Sequence, residues 1–256
     1  MTAFSATPYF GALLLVGLPL LAPAAAAQTE FWVDPDGGSD RIGNGRPAFP
    51  VKTISRALEL VGPNTVIHLA AGTYGPGETF PLVLPPTVSL HGSPRERGSV
   101  TIRGGDFFDA AAAGINVGVA SSQHAAVVAT GAGSIHNLTI SNPQGLGVWI
   151  IGNGNVSVRD NTFLDSQEVG LAIATAGTPV VQNNTFTGHR QRALSIEGST
   201  RARIVANTFE RNGTGIWVGG VAIPTLQSNR LQDNRIGIEI DGITRPTLQG
   251  NQIENS

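Results

Sequence analysis

Five segments of the chain share one pattern at an almost constant spacing: RDNTF at Arg159–Phe163, QNNTF at Gln182–Phe186, VANTF at Val205–Phe209, QSNRL at Gln227–Leu231 and QGNQI at Gln249–Ile253. The asparagines Asn161, Asn184, Asn207, Asn229 and Asn251 follow one another by 23, 23, 22 and 22 residues. An earlier segment, SIHNLTI, fits one step upstream, with Leu138 in the asparagine place and Ile140 in that of Phe163. Three residues before each asparagine stand Val158, Val181, Ile204, Leu226 and Leu248, and two after stand Phe163, Phe186, Phe209, Leu231 and Ile253. About nine residues after each asparagine a second apolar stretch alternates: Val148/Ile150 in the first unit, then Leu171/Ile173, Leu194/Ile196, Ile216/Val218 and Ile238/Ile240. Alternation with period two marks a strand with one buried face.

A unit of 22–23 residues with two or three short strands cannot bury its apolar face alone. Stacked on identical neighbours it can, so the repeat dictates a solenoid. The beat predicts an all-β fold, a right-handed parallel β-helix in which each column becomes a ladder. The asparagine column Asn161, Asn184, Asn207, Asn229, Asn251 reads as structural. Asparagine at a sharp turn tolerates a left-handed backbone, and its amide donates to one neighbour and accepts from another. A six-residue beat, which would indicate a left-handed hexapeptide helix, is absent, as is a leucine-rich consensus.

Ahead of the regular coils (134–256), residues 65–133 carry short glycine-ended strands such as TVIHLAAGTY and SVTIRGG, read as irregular coils. Residues 30–64 read as an N-terminal cap. There KTISRALELVG predicts a short helix with Ile54, Ala57, Leu58 and Val61 on one face, stopped by Gly62-Pro63. Gly104–Ser122 reads as a loop leaving the stack. Residues 1–27 read as a signal peptide: an apolar run at Phe10–Leu21, then Ala25-Ala26-Ala27 before Gln28, although no Lys or Arg precedes the run. Residues 28–256 then form a single domain of an exported protein (periplasmic, cell-surface or secreted) with no stable membrane span after cleavage. A net charge of −2 with 13% charged residues offers no basic face for nucleic acid. With no cysteine, disulfides and thiol chemistry are excluded.

The N-terminal stretch WVDPDGGSDRIGNGRPAFPVKTISRALELVGPNTVIHLAAGTY, followed by ETFPLVLPPTVSLHG and the N-T-F coils, resembles domain-of-unknown-function family 1565, within the pectin-lyase-like superfamily. The resemblance runs from Phe31 to the end. It implies the right-handed β-helix and a link to extracellular polysaccharide; it carries no catalytic residues over. Polygalacturonase-like enzymes carry N-x-D, D-D, G-H-G and R-I-K motifs. Here there is no Asp-Asp pair, and only GHR at Gly188–Arg190 and RIV at Arg203–Val205 approach them. No acid cluster of the pectate-lyase calcium kind is evident.

The outward positions of the second strand form a column of Trp149, Ala172, Ser195, Trp217 and Glu239, beside one of Ile151, Ala174, Glu197, Gly219 and Asp241. Trp149 and Trp217, exposed on one flat face, would suit stacking on sugar rings. Glu197, Glu239 and Asp241 are the candidate catalytic carboxylates; Glu197 and Asp241 would stand roughly 10 Å apart at the strand spacing. The partner expected is a polysaccharide, bound and conceivably processed as by a lyase or glycoside hydrolase. The alternative is a non-enzymatic cell-envelope scaffold or adhesin-like module, making contact through an open C-terminal coil. No cofactor is expected; Asp34, Asp36 and Asp40 in DPDGGSD resemble a calcium loop only loosely and read as a turn, and no metal site is assigned. His68 and His91 read as surface or turn residues, His189 as a solvated turn residue in preference to a small basic rim with Arg190 and Arg192 for an acidic sugar, and Arg211 with Asp233 as a surface ion pair.

Overall fold

The computed structural model describes residues 28–93, 98–115 and 121–256. The stretch read as a signal peptide, 1–27, lies outside the described residues, as does part of the loop that leaves the stack. Strands recur in threes and pair in parallel with the equivalent strand of the next coil, building three long sheets over about eight coils. The first sheet has nine strands, from Thr29–Val33 to Thr247–Gln249. The second has eight, from Gly72–Tyr74 to Gln252–Glu254. The third runs from Leu82–Leu84 to Ile236–Ile240.

Register follows the repeat. Val158 pairs with Val181, Val181 with Ile204 and Ile204 with Leu226 in the first sheet. Phe163, Phe186 and Phe209 pair in the second and stack face to face, with ring centroids 4.5 and 4.8 Å apart. All of these are buried in one continuous core. A column of identical apolar residues packs well because each rung meets its own shape at the strand spacing, about 4.8 Å. In the last coil Leu248 and Ile253 hold the same column positions yet are 47% and 49% exposed, since a rung is covered only where another lies on it.

The asparagine column sits at the turn between the first and second sheets. The Asn161 Nδ2 donates to Asn184 Oδ1 (3.0 Å) and to the Ile135 carbonyl (2.8 Å), while its Oδ1 accepts from the Leu138 N–H (3.0 Å). Asn184, Asn207 and Asn229 repeat the arrangement up to Asn251. The left-handed backbone expected at these asparagines belongs instead to the residue before each: Asn137, Asp160, Asn183, Ala206, Ser228 and Gly250 have φ between 53° and 62°. The ladder asparagine points inward from an extended conformation, and the residue ahead of it makes the bend.

The helix Ile54–Leu60 closes the first coil with Ile54 and Ala57 buried and Leu58 and Val61 packed against the core. Its start is held by one carboxylate from elsewhere and by its own N-cap: Glu78 accepts from the N–H groups of Ile54 and Ser55 (both 2.8 Å), and the Thr53 hydroxyl accepts from Arg56 N–H. The DPDGGSD segment is a turn. Asp34 Oδ1 accepts from Asp36 and Gly37 N–H, and Asp40 accepts from Lys52 and Thr53 N–H.

Candidate functional site

The repeat fixes which side chains leave the core, and on the third sheet these form three outward columns. One holds Leu146, Val169, Arg192, Thr214 and Ile236; the next Trp149, Ala172, Ser195, Trp217 and Glu239. The third holds Ile151, Ala174 and Glu197, continued by Gly219 and Asp241. The face therefore changes character along the axis, apolar in the earlier coils and polar in the later ones.

The apolar half is covered. After the second coil the chain leaves the stack. Asp106–Asp109 pairs antiparallel with Ser122–Ala129, and the turn that follows lays Ala110 and Ile115 over Val128, Trp149 and Ile151. Phe108 meets the Trp149 ring edge-on at 6.3 Å. Trp149, expected to be an exposed stacking platform, is thus 2% exposed. It is part of a second, smaller hydrophobic core outside the solenoid, because an indole left in water over an apolar face is costly and the inserted strap removes that cost. Trp217, three coils on, lies beyond the strap and stays half-buried.

Where strap and open face meet there is a cavity of about 190 Å³, lined on one side by Leu146, Trp149, Val169 and Ala172 and on the other by Gln123, Glu168, Gln191, Arg192, Ser195 and Glu197. Ser195 is buried and donates to Glu197 Oε1 (3.2 Å), fixing that carboxylate at the rim. Arg192 lays its guanidinium over Trp217, 4.0 Å from the ring centroid. Next along the column Glu239 accepts from Thr214 Oγ1 (3.3 Å). Asp241 is exposed and accepts from Gly242 N–H (2.7 Å). Trp149 and Glu197 thus line the cavity, Trp217 and Glu239 lie beyond it along the outward column of Trp149 and Ser195, and Asp241 stands two coils past Glu197 in the neighbouring column.

A wider depression, about 390 Å³, lies on the corner between the second and third sheets, bordered by Pro76, Phe80, Arg103, Asn142, Pro143 and Gln144. Its buried polar group is already engaged: the Asn142 Nδ2 donates to the Leu146 carbonyl (2.8 Å). The smaller groove has the denser set of convergent polar groups beside aromatic surface, which is the pattern of a ligand site.

Other candidates fall elsewhere. Arg211 pairs with Glu210 (2.5 Å) and not with Asp233, which accepts from Asn255 Nδ2 (3.1 Å); each is engaged by another neighbour, the acid beside Arg211 in its own coil and the asparagine one coil beyond Asp233. His68 and His91 lie within strands, and on the outer face of the first sheet Trp32, His68, His91 and His136 share a column. His91 and His136 stack at 4.7 Å, His91 bonds Ser134 Oγ through Nε2 (2.7 Å), and His68 Nε2 contacts the Glu30 carboxylate. Burial first, and then the neighbouring His136, pushes His91 down to about 4, so His91 is neutral at pH 7, and burial lowers His136 as well. Among the described residues no three His, Cys, Asp or Glu side chains converge as metal ligands.

His189 is not solvated: it is 1% exposed. It belongs to a second ladder, absent from the sequence reading, at the turn between the second and third sheets. Asn142, Ser166, His189, Asn212, Asn234 and Ser256 follow one another there, linked from each backbone N–H to the next side chain. The signal was present five residues after each ladder asparagine, but its residue type changes from Ser to His to Asn.

Solved structures share the fold. Pectate lyase Pel9A superposes with a TM-score of 0.61 at 16% identity, covering 84% of this chain and 56% of that chain. A pectin methylesterase from Aspergillus niger gives 0.51 at 16% identity, covering 91% and 88%. A lacto-N-biosidase from Eubacterium ramulus gives 0.53 at 11% identity, covering 86% and 56%. The chain thus spans little more than half the length of the pectate lyase it matches. At these identities the likeness establishes architecture, a right-handed parallel β-helix of the pectate-lyase kind. No curated protein sequence matches the chain. In sequence, the family described as "Protein of unknown function (DUF1565)" matches residues 37–256, and the chain belongs to that family.

Proposed function

We propose that this is an exported protein that binds an extracellular polysaccharide along the open half of the third sheet. The observation that carries this reading is the groove itself: an elongated face with apolar floor, Trp217, and the hydrogen-bonding rim of Gln191, Arg192, Ser195 and Glu197. A sugar offers apolar C–H faces and a ring of hydroxyls, and this surface offers partners for both. The fold's solved neighbours, a pectate lyase and a pectin methylesterase, agree with a carbohydrate ligand. Export is supported by the apolar run and the Ala25-Ala26-Ala27 sequence before Gln28. No described helix is long and apolar enough to cross a membrane. Were the bound chain also cleaved, Glu197 with Glu239 would be the carboxylates to act, since Glu197 lines the cavity, Glu239 continues the same outward face, and both are held by neutral hydroxyls.

A glycan-array screen tests the reading. Binding to one polysaccharide class, reduced at least tenfold in Trp217→Ala, supports it; an array with no bound glycan refutes it. Glu197→Gln and Glu239→Gln then separate binding from turnover.

A further inference from the structure

Resting on that sugar-binding reading, we propose that the groove selects an amine-bearing polysaccharide, a polymer of hexosamine with free amino groups, over a polyuronate. Glu168 and Glu197 line the cavity, and Glu239 and Asp241 continue the same face. The cavity itself presents two of these carboxylates, Glu168 and Glu197, and one cation, Arg192, whose guanidinium is spread over Trp217. The hydrogen bonds that reach Glu197 and Glu239 come from the neutral hydroxyls of Ser195 and Thr214. Among the described residues Glu168, Glu197 and Glu239 take part in no ion pair. Arg190, on the exposed turn beside the groove, directs its guanidinium to Gln167 (3.4 Å).

The rest of the lining is largely apolar and includes Leu146, Trp149, Val169 and Ala172. Charges beside an apolar surface are less screened than charges in open water, so a carboxylated sugar brought here meets net repulsion. An ammonium group gains charge-assisted hydrogen bonds to carboxylates already fixed in place. The same cavity and aromatic surface that would hold any pyranose ring thus hold one of this charge best.

Calorimetry at pH 6.5 with three soluble oligosaccharides decides it: glucosamine oligomer, its N-acetylated form, and galacturonate oligomer with and without calcium. The expected result is binding of the amine form, with affinity falling about tenfold on Glu197→Gln and again on Glu239→Gln. Glu59→Gln combined with Glu254→Gln, the same charge change on remote surfaces, should leave it unaltered. Equal or tighter binding of the acetylated or galacturonate oligomer, with or without calcium, overturns the amine preference while leaving sugar binding intact. Equal weakening by the remote pair overturns it as well, by reducing the effect to bulk charge. Binding of none of the three removes this inference, and a silent glycan array then removes the sugar-binding reading beneath it.

Discussion

Substituting His189 by asparagine should make the protein resistant to acid. In the second ladder the His189 N–H donates to Asn212 Oδ1 (3.1 Å), and its Nδ1 accepts from the Ser166 N–H (3.2 Å). Accepting at Nδ1 leaves the proton of the neutral ring on Nε2, which is buried and has no hydrogen-bond partner. Burial is the main cause that pushes His189 from 6.5 down to about 4. The unfolded chain therefore binds a proton that the folded chain refuses. The contribution to stability is complete above pH 6.5, is lost as pH falls from there towards 4, and is level below. Over the whole window the shift corresponds to about 3 kcal/mol, of which about 2 kcal/mol is lost by pH 5.

Asparagine has a ready place in this column. The Asn212 Nδ2 donates to the Phe186 carbonyl (3.1 Å), and the Asn234 Nδ2 to that of Phe209 (3.0 Å). In His189→Asn the new Nδ2 would donate to the Phe163 carbonyl, and Oδ1 would accept from Ser166. That gain, about 1 kcal/mol, offsets the lost packing of the imidazole against Phe186, so near pH 7.5 the variant should match the parent. At pH 5 it should be more stable by about 2 kcal/mol. Urea denaturation of both proteins at the two pH values measures the difference, in which the shared contributions of His91 and His136 cancel. Equal loss of stability in parent and variant between pH 7.5 and 5 would refute the assignment of acid sensitivity to His189.

Three further outcomes follow from the ladders and the strap. Ala206 is the one ladder-preceding residue that bends into φ 53° with neither glycine's freedom nor a polar side chain, so Ala206→Gly should raise stability by about 0.5–1 kcal/mol, seen as a higher urea midpoint. Asn184→Ala leaves the Asn161 N–H and Nδ2 and the Val158 carbonyl without their partner, and should cost about 3 kcal/mol or more in the same assay. Trp149→Ala should destabilise by about 3–5 kcal/mol through the cavity beneath Phe108, whereas Trp217→Ala should change stability by less than about 1.5 kcal/mol. Comparable losses from the two tryptophans would contradict the strap's role as a cover for one of them.

The inward half of this molecule was legible in its sequence and the outward half was not, for a physical reason. A residue facing the core of a solenoid meets its own equivalent in the coils on either side, so shape and hydrogen bonding select the same residue repeatedly. Val158 to Leu226, Phe163 to Phe209 and the asparagines therefore announce their columns by repetition. Outward residues meet solvent or whatever the chain lays over them, and repetition is released. The alternation still told which side Trp149 and Trp217 take, and the pairing of Trp149 with Ala172 and of Ser195 with Trp217 follows that register. The strap between Gly104 and Ser122 decides what happens to them there, and it belongs to no period. His68 and His91 stand one beat apart, 23 residues, but the chain that leaves the stack lengthens the step to His136 to 45, which hid the histidine column of the first sheet. His189 shows the intermediate case: its spacing obeyed the repeat while its residue type did not, because a ring nitrogen can accept the bond that an asparagine oxygen accepts in the next rung. In a fold of this kind a departure from the column marks the place to look for function, and the polar break at Arg192, Ser195 and Glu197, where Val169, Ala172 and Ala174 stand one coil earlier, is the sharpest such departure on the third sheet.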